Sequence, residues 1–329
     1  MSPSRKVPGC SSLSMSWHLR RPGKTLAIDG ILNINKPEGV TSFGVVARLK
    51  RLTGEKRVGH AGTLDPIATG VLPVCFGQAT RVAEFIADGG KTYRAEIKLG
   101  AVTDTFDREG RIVYTGDIDG VSVDRIEQAL ASFRGTIEQV PPAYSALKKD
   151  GKPYYQFARQ GSKVDPRPRR VTITDIRLMS YQPPLLTVEV ECGKGTYIRS
   201  LAHDLGQRLG CGAFLNNLTR LRCGPFSIEE AVTLPEFECA CREDVWTELL
   251  HPMDTPLLGW KAVILSGETE LAVRHGSPLV VSADVGPGER YCRAYNADGH
   301  LIAILRFVPD KGYWHPFKVF APPDPVLDF

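Results

Sequence analysis

The chain has 329 residues, of which 42% are hydrophobic and 24% charged, and its formal net charge is +4. This length allows two domains with a core each, and the composition is that of an ordinary globular protein. No apolar run approaches the ~20 residues that span a bilayer. The eight cysteines show neither a C-x-x-C pair nor zinc-finger spacing. We therefore predict reduced thiols, no metal and a cytoplasmic protein.

The first 28 residues hold five Lys or Arg and no acid. This composition predicts a disordered basic extension, or a translation start placed upstream of a true start at Met15, although organelle-targeting peptides share it. No function is assigned to these residues.

A strand and a helix are predicted next. The string ILNINKPEG predicts a short strand from Ile31 that ends in a turn at Pro37–Gly39. Thr41 and Ser42 are suitable N-caps for a helix that extends to about Leu52.

The stretch Gly59–Arg81, GHAGTLDPIATGVLPVCFGQATR, places one acidic residue inside a loop rich in glycine. Pro66 follows Asp65 and biases the aspartate towards extended or turn backbone. The apolar run Val71–Phe76 predicts a buried strand, in which Pro73 favours an edge position or a bulge. We therefore predict a carboxylate on a rigid loop before a buried strand, which fits either a catalytic residue or an ordinary turn.

Residues 91–107, KTYRAEIKLGAVTDTFD, alternate polar and apolar side chains and predict a half-exposed strand. The string GRIVYTGDI is predicted to pair with it through a turn at Asp107–Gly110. Ser122–Phe133 predicts an amphipathic helix. Four acids of this region do not fit a calcium loop, so we interpret them as turn residues: Asp104, Asp107, Asp117 and Asp119.

The segment Gln139–Gly161, QVPPAYSALKKDGKPYYQFARQG, interleaves basic and aromatic residues, and residues 143–170 hold eight Lys or Arg against two Asp. This pattern favours RNA binding, because cations contact phosphates and aromatic rings stack on unpaired bases at ~1–3 kcal/mol per stack. The alternative is a solvated charged loop. The candidate RNA-binding residues are Tyr144, Lys148, Lys149, Tyr154 and Arg159, and Arg167, Arg169 and Arg170 extend the patch.

Residues 185–226 predict a strand, LTVEVEC, a GKG turn and a helix over Tyr197–Leu209 that stops at Gly210. The helix face that carries Arg199 also carries apolar side chains. We therefore expect a partly buried arginine, which needs a carboxylate or phosphate partner.

The chain changes character from about Lys261, after a linking helical segment over residues 234–255. The short strings VILS, RYCRAYN, LIAILRF and WHPFKVF are separated by turn residues, which predicts a small β-rich module.

Several of these strings resemble the TruB family of tRNA pseudouridine synthases. GHAGTLDP resembles the family's G-H-x-G-x-L-D-P string, KPEG its K-P-x-G element, KGTYIR its K-G-T-Y-I-R motif and NLTRL an LxRL-like string. The resemblance implies an α/β (α+β) catalytic domain over residues 29–255, built on a mixed, largely antiparallel sheet. It also implies a thumb-like RNA-binding insertion at about 139–161 and a PUA-like domain over 256–329.

Roles for individual residues are also implied by the resemblance. Asp65 is the catalytic residue, and His60 inserts where the target base was, although a ring hydrogen bond that supports the loop is the alternative for His60. The implied supporting residues are Lys36 for the loop, Tyr93 for stacking on the base, Arg199 as the ion-pair partner of Asp65, Tyr197 beneath the site and Leu218 in the uracil pocket.

The reaction implied is the isomerisation of uridine 55 in the T-arm of tRNA. A carboxylate can add to C1′ or to the base, or can remove the C2′ proton, and no cofactor is required. We expect a monomer whose partner is tRNA, with no obligatory protein partner. The alternatives are a non-catalytic tRNA-binding protein and a synthase that acts on another RNA, including through guide-RNA partners.

Overall fold

The computed structural model describes residues 28–142, 148–149, 152–153, 167–280 and 289–321, with only the backbone of 148–149 and 152–153. The extension over residues 1–27 therefore lies outside the described residues. The same holds for Tyr144, Tyr154 and Arg159 and for the side chains of Lys148 and Lys149.

A ten-stranded sheet forms the centre of the described chain. Its strands are β1 (Gly30–Lys36), β2 (Val58–His60), β3 (Ala68–Phe76), β4 (Lys91–Leu99), β7 (Gly135–Gln139), β10 (Arg169–Gln182), β11 (Leu185–Cys192), β12 (Ala213–Cys223), β13 (Phe226–Ser227) and β14 (Val232–Thr233). The order is β14-β1-β3-β12-β4-β11-β10-β7, with β2 beside β3 and β13 beside β12. Only the pairs β1–β14 and β3–β12 are parallel among these described strands, which confirms the mixed, largely antiparallel prediction.

Two short two-stranded sheets are separate from this one. The first pairs β5 (Ala101–Thr103) with β6 (Ile112–Thr115), so the predicted strand over 91–107 is divided between β4 and β5. The second pairs β8 (Lys148–Lys149) with β9 (Lys152–Pro153).

Three of the helices that accompany the sheet begin and end close to the predicted positions, whereas the helix over Ala83–Asp88 was not predicted and the helix from Leu234 ends at Arg242, before the predicted limit of 255. Thr41 caps the first helix by accepting a hydrogen bond from the Gly44 N–H at 2.9 Å. Gly210 ends the fourth with a φ of 80°, the left-handed conformation that glycine adopts at little cost. The helices are α1 (Ser42–Thr53), α2 (Ala83–Asp88), α3 (Val123–Ala131), α4 (Ile198–Leu209) and α5 (Leu234–Arg242).

Strand β3 has neighbours on both sides, so the edge position expected from Pro73 is wrong. Strand β1 pairs along one side of β3, while on the other side β12 pairs with residues 68–70 and β2 with residues 74–76. The Pro73 carbonyl accepts from the Ala61 N–H at 2.9 Å, so the proline nitrogen faces the same side. Pro73, which has no N–H to donate, therefore lies where the neighbour of β3 changes from β12 to β2.

Both faces of the sheet are covered, which explains why β1 and β3 are apolar on both sides. Leu32 and Ile34 of β1 belong to a core with the helices, whereas Ile31 belongs to a second core that includes Ile304 and Phe320 of the C-terminal module. The ten-stranded sheet and the C-terminal module thus share buried apolar surface.

The C-terminal module is a four-stranded sheet ordered β15 (Ala262–Ile264), β16 (Tyr291–Tyr295), β17 (Leu301–Val308) and β18 (Tyr313–Val319). It also contains α6 (Gly267–Arg274), which the sequence pattern did not predict. Phe85 of α2 packs edge-on against Trp260 and Tyr291, with ring centroids 5.0 and 5.6 Å away. Among the described residues no helix is both long and apolar enough to cross a membrane.

Candidate active site

Asp65 lies in the connection between β2 and β3, and a buried lysine holds this connection against the end of β1. Lys36 is fully buried, and its Nζ donates to the carbonyl oxygens of Pro37 at 2.8 Å, Val40 at 2.6 Å and Pro66 at 3.2 Å. Burial lowers the pKa of Lys36 to about 8, and the Asp65 charge opposes this shift. The lysine therefore connects the end of β1 to the loop through backbone carbonyl contacts.

Two further side chains fasten the same loop from distant parts of the chain. The Ser42 Oγ at the start of α1 donates to the Leu64 carbonyl at 3.0 Å and accepts from the Leu64 N–H at 2.8 Å. Arg220 of β12 is fully buried and donates to the carbonyl oxygens of Val71 at 2.7 Å, Gly62 at 3.0 Å and Thr63 at 3.5 Å. Lys36, Ser42 and Arg220 therefore define the path of the backbone on either side of Asp65.

Arg199, in the first turn of α4, contacts two carboxylates. Its Nε lies 2.9 Å from Asp65 Oδ2, and its Nη1 lies 3.3 Å from Asp107 Oδ2. The side chains of Arg199 and Asp107 are only 6% and 7% exposed. The expected buried arginine is therefore present, and its carboxylate partners are Asp65 and Asp107.

The carboxylate of Asp65 is 37% exposed, and it lines a cavity. Burial raises the pKa of Asp65 above its usual value, and the Arg199 guanidinium opposes the shift while Asp107 adds to it. We expected Arg199 to favour the ionised form, and it does, but desolvation has the larger effect. The two carboxylates thus compete for one buried cation.

The cavity above Asp65 has a volume of about 280 Å³, close to the lower limit of small-ligand pockets at about 300 Å³. Tyr93 of β4 and Leu218 of β12 form its apolar side, and Tyr197 and Arg199 line it at the start of α4. Burial raises the pKa of Tyr93 to about 12, so this ring stays neutral near pH 7. An acid and an aromatic ring are thus presented to one small ligand-sized space.

His60 ends strand β2, and so it lies on the strand before the loop rather than in the loop itself. Its Nδ1 is buried and has no hydrogen-bond partner in the part of the chain that the structure describes. Burial, with the nearby Arg220 charge, lowers the pKa of His60, which favours the neutral ring. The alternative role through a bond at Nδ1 therefore has no contact to support it among these residues.

Sequence reasoning missed three residues that build this site. Asp107 was interpreted as a turn residue; it does accept from the Thr105 hydroxyl and the Glu109 N–H, but it also contacts Arg199. Ser42 was considered only as a helix cap. Arg220 could have been found, because alternation along a strand puts residue 220 on the same face as Leu218.

No cluster of His, Cys, Asp and Glu within the described ranges is arranged to hold a metal ion. The lysines and aromatic residues proposed for RNA binding in 139–161 lie outside the described side chains. The structure describes all seven of the other predicted site residues. Five of them line the cavity above Asp65, namely Asp65, Tyr93, Tyr197, Arg199 and Leu218, whereas Lys36 and His60 do not.

Two family models match consecutive parts of this chain. The model for the TruB family pseudouridylate synthase N-terminal domain matches residues 50–198, and the tRNA pseudouridylate synthase B C-terminal domain matches residues 199–258. The second match begins at Arg199, and the β-rich module follows it.

Curated relatives are similar over most of their length. A tRNA pseudouridine synthase B of Dehalococcoides mccartyi is 44% identical over 92% of this chain and 99% of its own. Another, of Syntrophotalea carbinolica, is 51% identical over 86% of this chain and 94% of its own.

Solved structures of similar fold include a Cbf5–Nop10–Gar1 complex, with a TM-score of 0.70 and 29% identity over 90% of this chain and 86% of the matched chain. An H/ACA RNP bound to a substrate RNA containing 2′-deoxyuridine matches with a TM-score of 0.67, 26% identity and the same coverage. The fold is that of a pseudouridine synthase, an isomerase that acts on RNA. By sequence, the chain belongs to the TruB family, whose curated relatives convert uridine to pseudouridine in tRNA.

Proposed function

We propose that this chain isomerises uridine 55 in the T-arm of tRNA and that Asp65 is its catalyst. The observation that carries the proposal is the ion pair at 2.9 Å between Asp65 and Arg199 at the wall of a cavity of ligand size. A buried arginine keeps an adjacent carboxylate available in its ionised form and fixes its direction.

The carboxylate supplies the chemistry in this proposal. Isomerisation breaks the N-glycosidic bond, rotates the uracil and joins it again through carbon. An ionised Asp65 adds to C1′ or to the base, or takes the C2′ proton, and each route needs the carboxylate and no cofactor. Tyr93 stacks on the base, while Leu218 restricts where the uracil can lie.

The target base must leave its stack, which costs a few kcal/mol. We propose that His60 occupies the vacated position, because the neutral ring expected from its lowered pKa stacks without carrying a charge. Tyr144, Lys148, Lys149, Tyr154 and Arg159 hold the RNA in this proposal, and phosphate contacts and aromatic stacking offset the cost of flipping.

We also propose that the enzyme acts as a monomer in the cytoplasm without an obligatory protein partner. The relatives named tRNA pseudouridine synthase B cover most of this chain, and the chain carries its own basic segment. Seven cysteines of the described structure form no disulfide, which suits a reducing compartment. The Cbf5 complex, by contrast, contains Nop10 and Gar1.

The test is pseudouridine mapping on an unmodified tRNA transcript and on a bare T-arm stem-loop, with purified wild-type protein and with Asp65→Asn. Conversion at position 55 of both RNAs by the wild type alone supports the proposal. Conversion by Asp65→Asn removes Asp65 as the catalyst. If neither protein converts either RNA but both bind, the binding-protein alternative replaces it, and conversion elsewhere identifies another substrate.

A further inference from the structure

The first turn of α4 is held by a buried glutamine that no motif singled out. Gln139 ends β7 and is only 2% exposed. Its Nε2 donates to the Tyr197 carbonyl at 3.0 Å, and its Oε1 accepts from the Tyr197 N–H at 2.8 Å. One side-chain amide thus pairs with both backbone groups of one residue, as a neighbouring strand would.

A second contact fixes the same two segments together. The Ser200 Oγ, on a residue 1% exposed, donates to the Val140 carbonyl at 2.7 Å. Three hydrogen bonds therefore join residues 139–140 to residues 197–200. Arg199 lies inside this clamped turn, and its Nε is 2.9 Å from Asp65.

Tyr197 is the N-cap residue of α4, but its side chain makes no capping hydrogen bond to the helix. Its carbonyl accepts both from the Leu201 N–H at 3.1 Å, as in any helix, and from Gln139. The start of this helix therefore depends on a strand more than 50 residues earlier in the chain for the direction of its first turn. A rotation of that turn would carry the Arg199 guanidinium away from Asp65.

We propose that Gln139 is a positioning residue for the isomerisation, acting on Asp65 through Tyr197 and Arg199. This inference rests on the proposed function, because it assumes that Asp65 is the catalyst. Ser200 supports the same turn to a smaller extent. Small displacements of a reacting group lower rates strongly, up to about 100-fold for ~1 Å.

The most informative variant is Gln139→Glu, which keeps the size and the acceptor but replaces the Nε2 donor. An ionised glutamate would place a second carboxylate oxygen against the Tyr197 carbonyl, so the hydrogen bond to this carbonyl would be lost. A protonated glutamate can donate its O–H to the carbonyl and restore the bond. Burial raises the pKa of such a carboxyl, whereas the charges of Arg169, which pairs with Gln139 across the strands, and of Arg199, two residues beyond Tyr197, lower it. A rate loss that appears as the pH rises therefore reports on this one hydrogen bond.

The experiment measures the single-turnover rate at saturating enzyme and the tRNA Kd between pH 5 and 9. The wild type, Asp65→Asn, Gln139→Glu, Ser200→Ala and Gln207→Glu are compared, the last being an exposed glutamine on the same helix. We expect Gln139→Glu to lose about 10-fold in rate, relative to the wild type, from low to high pH. The Kd should stay within about twofold, and Gln207→Glu should follow the wild type.

Other outcomes separate the two proposals. A Gln139→Glu rate that parallels the wild type at every pH overturns the positioning role, and so does a weaker Kd with an unchanged rate. Conversion by Asp65→Asn overturns the proposed catalyst instead. If Gln139→Glu does not fold, Ser200→Ala decides: a rate within twofold of the wild type at unchanged Kd overturns the inference, and a threefold or larger loss of rate supports it.

Discussion

The carboxylate of Asp107 lies 3.3 Å from Nη1 of Arg199, although Asp107 belongs to a turn and Arg199 to a helix 92 residues further along the chain. Both side chains are almost fully buried. Without Asp107, the Arg199 guanidinium would keep Asp65 at its Nε and the Thr105 carbonyl 3.4 Å from its Nη1, but it would lose the buried carboxylate on its Nη1 side.

Replacement of Asp107 by asparagine is therefore expected to lower the single-turnover rate about 10- to 100-fold. Arg199 loses a charged partner, and removing one member of a buried pair also costs stability, about 3 kcal/mol. The tRNA Kd should change little, because Asp107 is buried. Asp119→Asn, an exposed turn acid, is the control, and equal rates for the two variants would contradict the role of Asp107.

The pH dependence of activity should reflect the raised pKa of Asp65. Catalysis needs the ionised carboxylate, so kcat/KM should fall as the pH drops through the folded pKa, which lies above the usual 3.8. Arg199→Met removes the cation that opposes the rise in the Asp65 pKa. In this variant the acidic side of the pH–rate profile, the acid limb, should therefore move to higher pH. A limb at or below pH 3.8, or one that does not move in Arg199→Met, would show that another group controls the profile.

Strands β3 and β12 approach each other closely at Gly70. Its φ is +100°, and an added Cβ would lie 2.2 Å from the Arg220 carbonyl oxygen. Gly54 also has a positive φ, +77°, but an added Cβ there meets nothing within 4 Å. Both alanine variants are destabilised by the positive φ, but only Gly70→Ala adds a clash with another strand. We therefore expect the free energy of unfolding, measured by urea denaturation, to fall by at least about 2 kcal/mol more in Gly70→Ala than in Gly54→Ala. Equal losses would mean that the strands separate easily.

Charge reversal at Lys148 and Lys149 should weaken tRNA binding and flatten its dependence on salt. Each lost phosphate contact reduces the slope of log K against log salt by about 0.7–0.9. Filter binding at several salt concentrations measures this slope for the double variant to glutamate. Lys261, in the linker before β15, offers a control reversal, and an unchanged slope for the 148–149 variant would remove the basic segment from the RNA-binding surface.

Local patterns were enough to predict the elements that carry the site. The alternation in β4 and β11, the Thr41 cap and the Gly210 stop are short-range features, and the structure has them where they were expected. The burial of Arg199 was also predictable, since its helix face is apolar. What local pattern alone could not supply was which carboxylate Arg199 contacts, because that depends on packing between distant segments.

The missed residues share this property of long-range contact. Asp107 has ordinary turn chemistry in sequence, and its second role appears only when α4 packs against the turn. Arg220 donates to carbonyls about 150 residues away; strand alternation indicates the face on which it lies, but no periodicity indicates which carbonyls it contacts. Pro73 was misjudged because strand pairing changes beside it, and α6 because a short helix among strands leaves little periodic signal.

The loop around Asp65 is completed by segments that lie far apart along the chain. Ser42 reaches Leu64 across 22 residues, but Arg220 reaches Gly62 across 158. Closing such a long loop carries an entropic cost, and contacts of this kind form late when a chain folds. A chain that has reached only part of its native structure should hold β1, α1 and the Asp65 loop without the final contacts from β12. Catalytic activity is therefore a stricter reporter of complete folding than helix content, and refolding followed by both signals should show activity returning last.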